Sequence, residues 1–114
     1  MRAINASAMR QYNRRMLLNE IRRQPVSRAE LAERTHLTRA SVTQIIEELI
    51  GEGLVVEGAS VERSRLGRRS TLLNINPSAG AILGVNLSRG QCDVGAVDLL
   101  GTVLRYRVLP VPGR

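Results

Sequence analysis

A chain of 114 residues has room for one modest core, or for one small domain and the start of a second. Its 17 basic residues outnumber 10 acidic ones, and the net charge of +7 favours a polyanionic partner over a basic one. A single cysteine, Cys92, excludes an intrachain disulfide, and apolar runs of about five residues fall far short of the roughly 20 that cross a bilayer. No basic-then-apolar leader opens the chain, so a cytoplasmic protein with no membrane partner is expected.

Every basic residue is an arginine. The planar guanidinium fork suits phosphate and the guanine edge, but a GC-rich genome produces the same lysine-free composition, and the two explanations stand side by side. The distribution says more. Thirteen arginines against eight acids precede Thr71, a net +5, whereas four against two follow it, a net +2. The first part is therefore the expected electrostatic footprint.

The stretch MRQYNRRMLLNEIRRQ, residues 9–24, spaces Met9, Tyr12, Met16, Leu17 and Ile21 as one apolar helical stripe. Arg22 and Arg23 complement the dipole in its last turn, and Pro25 stops it. Ser27 followed by Glu30 is a capping box that opens a second helix running to about Thr35, with Ala29, Leu31 and Ala32 on its inner side. His36-Leu37-Thr38 forms a tight turn in which a left-handed residue is expected, a conformation histidine tolerates better than most.

Thr38 caps a third helix whose inner stripe is Val42, Ile45, Ile46, Leu49 and Ile50, ended by Gly51 and Gly53. Two helices joined this tightly read as helix-turn-helix. LVVE (54–57) and TLLNI (71–75) are short strand candidates around GASVERSRLGRRS, which carries Arg63, Arg65, Arg68 and Arg69. A basic hairpin placed after such a helix is the wing of a winged helix. In the free protein it is either an ordered ribbon or a basic loop that orders on DNA.

NPSAG, residues 76–80, breaks the composition. The expected organisation is a winged helix-turn-helix domain over 1–76, a linker over 77–80 and a second region over 81–114. That region reads as three strands with turns at Arg89-Gly90 and Leu100-Gly101, an antiparallel meander, which makes the fold class α+β. Three strands with one apolar face are marginal alone.

Rotating the third helix at 100 degrees per residue from buried Val42 points Ala40, Gln44 and Glu47 outward, with Ser41 and Thr43 on the shoulders and Arg39 at the start. Glutamine suits adenine, arginine suits guanine, and Ala40 and Thr43 suit a thymine methyl. The expected DNA-binding set is accordingly Thr38, Arg39, Ala40, Ser41, Thr43 and Gln44 on the recognition helix. Ser27 and Arg28 at the start of the second helix join it, with Arg65, Arg68 and Arg69 in the wing. Arg14, Arg15, Arg22 and Arg23 are either further phosphate contacts or a solvated face.

His36 is the sole histidine and has no cysteine pair or carboxylate pattern around it, so no metal, catalytic or cofactor residue is expected. Cys92 is expected as a small core residue.

The run SRAELAERTHLTRASVTQIIEELIGEGLVVE, the wing, and then GRRSTLLNINPSAGAILGVNLSRGQCDVGAVDLLGTVL resemble the amino-terminal part of ROK-family (repressor, open reading frame, kinase) transcriptional regulators over roughly residues 13–108. The resemblance implies a MarR-like winged helix followed by the first strands of a ribonuclease H or sugar-kinase-like domain. It further implies operator DNA as partner, a symmetric homodimer or higher oligomer, and a sugar or sugar-phosphate effector recognised further along the family's chain. Family kinases carry Asp-x-Gly-Gly-Thr where this chain has Asn86-Leu87-Ser88-Arg89-Gly90, so no nucleotide is expected there. The expected function is a DNA-binding repressor of carbohydrate-metabolism genes, not an enzyme. A sugar kinase with a fused helix-turn-helix and a winged-helix protein-protein module are the alternatives.

Overall fold

Asn5 starts the first helix by accepting a hydrogen bond from the Ala8 amide at 2.8 Å, so α1 (Ala6–Arg23) begins before the apolar stripe does. The computed structural model describes residues 5–62 and 69–112. Only the lower half of the stripe is used: Leu17 and Ile21 are buried, whereas Met9 and Tyr12 remain 44% and 62% exposed. Their spacing is helical, but that end of α1 extends past the core.

α2 (Arg28–Thr35) starts at Ser27, whose Oγ accepts from the Glu30 amide at 3.2 Å. Leu31 is its buried residue; Ala29, expected inside, is exposed because it lies on the side turned away from Leu31. His36 closes α2 with φ 62 and ψ 18, the left-handed geometry that redirects the chain into α3 (Arg39–Gly51). Val42, Ile45, Ile46 and Leu49 of α3 are buried, and Gly53, at φ 78, completes the exit.

Beyond the helices, β1 (Val55–Glu62) and β2 (Arg69–Ile75) pair antiparallel. Both strands are longer than their apolar residues indicate, because cross-strand pairing continues through polar positions from Ser60↔Thr71 to Glu62↔Arg69 after an irregularity between Glu57 and Ser60. Val26 adds a third, single-residue rung: its amide donates to Leu73 O at 3.3 Å, and the Leu73 amide donates to Val26 O at 2.8 Å. The sheet is thereby fastened to the entrance of α2, with Val26, Val55, Leu73 and Ile75 all buried.

The described chain divides between Ile75 and Asn76 into two compact units. In the second, the segment expected as a linker is a 3-10 turn (Pro77–Ala79), capped by the Asn76 side chain and joined to the following sheet by the Leu99 amide donating to Pro77 O at 3.2 Å. β3 (Ala81–Ser88), β4 (Gln91–Asp98) and β5 (Val103–Pro110) form an antiparallel meander, with Gly90 and Gly101 at positive φ in its turns. Cys92, expected as a core residue, is only half-buried, because this small sheet encloses no core around it. Tyr106 on β5 holds its proton above the ordinary tyrosine range, chiefly through the charge of Asp93 on β4, which accepts its hydrogen bond.

Candidate nucleic-acid interface

The start of α3 is built by Thr38. Its Oγ1 accepts from the Ser41 amide at 3.1 Å and donates to Ser41 Oγ at 2.9 Å, so both hydroxyls are engaged in fixing the first turn. Arg39, Ala40, Thr43 and Gln44 are exposed around that turn, opposite the buried stripe. The turn before it is braced by Thr35, whose Oγ1 donates to Leu31 O at 2.6 Å and accepts from the Leu37 amide at 3.4 Å.

Two grooves divide these residues. Ser27, Arg28 and Ala29 of the α2 entrance, Arg39 and Thr43 of α3, and Ser70 and Thr71 of β2 line a shallow cleft of about 320 Å³. Ser41 and Gln44 instead border a groove shared with Ala6, Met9, Arg10 and Asn13 of α1. Ser70, Thr71 and Asn13 lie outside the DNA-binding set expected from the sequence. The first two follow the basic run directly, which is a usable signal, whereas Asn13 is brought there only by the packing of α1 across α3.

The arginines fall into two kinds. Arg14 forms a two-pronged pair with Glu52, Nη1 to Oε2 at 2.8 Å and Nη2 to Oε1 at 3.2 Å, and Arg10 pairs with Glu48. Arg34 reaches Glu30 at 3.5 Å and Glu20 at 3.7 Å, and Arg23 reaches Glu20 at 3.9 Å. Arg28 is held by two carboxylates, Glu47 Oε1 at 3.0 Å and Glu57 Oε1 at 2.8 Å. By contrast Arg39, like Arg15 and Arg22, forms no ion pair with any described residue. Of the arginines expected as phosphate contacts or a solvated face, Arg14 is thus committed within the protein, with an 18% exposed side chain, whereas Arg23 stays on the solvated face, 72% exposed.

Of the wing set, Arg69 opens β2 opposite Glu62, and Arg65 and Arg68 lie outside the described residues, as does Arg63. No group of three or more His, Cys, Asp or Glu able to hold a metal ion occurs among the described residues. No described helix is long and apolar enough to cross a membrane.

Helix-turn-helix, ribbon and exposed α3 start coincide with a match to the MarR family over residues 11–70. The chain belongs to the MarR family. This MarR-family chain is also similar to a solved ROK-family transcriptional regulator, described as a homologue of the E. coli MLC protein. That likeness has a TM-score of 0.71 and 29% identity, over 90% of this chain and 26% of the other. It is 33% identical over 104 residues to the xylose repressor of Bacillus subtilis strain 168, covering 89% of this chain and 27% of the relative. It is 34% identical over 90 residues to the DNA-binding transcriptional dual regulator NagC of Escherichia coli K12, covering 79% of this chain and 22% of that protein.

The MarR-family chain thus spans about a quarter of the length of the curated relatives it matches. Because these matches run past the winged helix into the meander, the resemblance to the ROK regulators read from the sequence holds for the MarR-like unit and the strands after it.

Proposed function

We propose that the chain is a sequence-specific DNA-binding transcriptional regulator that represses carbohydrate-metabolism genes by occupying their operators. The observation that carries this reading is the start of α3: Arg39, Ala40, Thr43 and Gln44 are exposed together, on a helix whose opposite side is buried. α3 enters the major groove, and the wing with Arg65, Arg68 and Arg69 follows the adjacent minor groove or backbone, while Ser27, buried with its Oγ accepting from the Glu30 amide, acts as the cap of α2. Relatives named as xylose and N-acetylglucosamine repressors support the carbohydrate assignment. The same proposal includes a sugar or sugar-phosphate effector, acting in a protein of the relatives' full size. Readout of paired half-sites favours a homodimer or higher homo-oligomer in the cytoplasm. The chain itself carries out no catalysis.

Selection from a pool of random duplexes tests the reading. The expected product is a pair of inverted half-sites, bound with an affinity that falls steeply with salt. A pool with no enriched sequence and no salt-dependent binding overturns it. On the selected duplex, Gln44→Ala costs about 1–3 kcal/mol and relaxes preference at one base position, whereas Arg68→Ala weakens all sequences alike and flattens the salt slope by about one unit.

A further inference from the structure

The geometry points to Arg28 as a positioning residue that sets the recognition helix against the wing, and not as a phosphate contact. This rests on the DNA-binding reading above. Arg28 occupies the first position of α2, and its Nη2 lies 3.0 Å from Glu47 Oε1 on α3 and 2.8 Å from Glu57 Oε1 on β1. One guanidinium therefore ties together the three elements that must keep a fixed geometry on a duplex.

The surroundings explain why it stays there. Arg28 has a 26% exposed side chain, while Glu47 and Glu57 are 62% and 50% exposed. The cluster thus carries two carboxylates to one cation on the DNA-facing side. Turning Arg28 to a phosphate would leave both carboxylates bare beside a polyanion. Glu47 lies one turn beyond Thr43 on α3, so its charge sits next to the reading residues. Glu57 is opposite Leu73, the residue bonded to Val26, so the guanidinium and the backbone rung clamp the same end of the ribbon from two directions. Nearby Arg39, which lines the same cleft and forms no ion pair with any described residue, is the cation left for phosphate or base.

The test is a double-mutant cycle in the full chain, read on the selected duplex across a salt titration. Arg28→Met is expected to weaken binding about tenfold with the salt slope unchanged. In a Glu47→Gln/Glu57→Gln background the same change costs less than about twofold, because the pairing it disrupts is already gone. An equal loss in both backgrounds with a slope shallower by about one unit makes Arg28 a phosphate contact, and no loss in either makes it inert; each overturns the proposal.

Should Arg28→Met not fold, judged by circular dichroism, Glu57→Gln alone decides. Positioning requires weaker binding although a negative charge has been removed, whereas tighter or unchanged binding refutes it. If the wild-type chain binds no duplex, the functional reading fails separately, and amide exchange in the free protein then judges Arg28. Faster exchange of the Val55–Glu57 and Leu73–Ile75 amides in Arg28→Met supports the tie between helix and ribbon, and unchanged exchange rejects it.

Discussion

His36 holds a backbone conformation that side chains disfavour, and the helix-turn-helix depends on it. At φ 62 it is the sole non-glycine residue at positive φ among those described, and it is exposed, so no packing compensates for the strain. His36→Gly removes the Cβ penalty at a C-terminal helix position and is expected to stabilise the chain by about 0.5–1 kcal/mol in urea denaturation, with DNA affinity unchanged. A destabilised variant would mean that the imidazole contributes more than it strains. This residue was legible because two helices separated by so short a segment require a left-handed step. The engagement of Arg28 was not: its carboxylates lie 19 and 29 positions away, and local sequence carries no record of which distant charges a fold brings together.

Among the elements, α3 combines a cap and a buried stripe, and the two contribute differently. Replacing Thr38 with Ala removes the acceptor for the Ser41 amide and costs about 1 kcal/mol, whereas Thr38→Ser keeps it. Urea midpoints of the two variants separate loss of the cap from loss of the methyl group. Leu49 is fully buried near the other end of α3, and Leu49→Ala is expected to cost about 2–5 kcal/mol. That is enough to unfold much of so small a unit at 37 °C, seen as loss of helical circular dichroism.

Helices were readable because caps and 3.6-residue periodicity are local. The strands were underestimated because β1 and β2 gain residues from their mutual hydrogen bonds, which continue through Ser60, Val61 and Glu62 regardless of hydropathy. The rung from Val26 to Leu73 was invisible for the same reason: it is a pairing across 47 positions made by a single residue.

For the whole molecule, the two units differ in how they are held together. The first surrounds Leu17, Leu31, Ile46, Leu49 and Leu73, all at most 2% exposed, with three helices and a ribbon. The second is a bare sheet. Alternation places Leu83, Val85 and Leu87 on one face of β3, where they meet Ala96, Val94 and Cys92 of β4, while Ile82, Val97 and Val108 lie on the other face. Leu83 and Leu87 are each 72% exposed, so both faces carry apolar surface that water still reaches. β4 is half-buried while β3 and β5 are exposed throughout, so the hydrogen bonds between strands have little apolar burial beside them to offset the ordering entropy of three strands. A polypeptide of residues 76–112 is therefore expected to lack a cooperative thermal transition and to bind a hydrophobic dye, whereas residues 5–75 unfold cooperatively in urea. A cooperative transition in the 76–112 piece would show that the meander carries stabilisation beyond its visible packing. Failure of the 5–75 piece to fold would instead make the sheet a structural requirement of the winged helix.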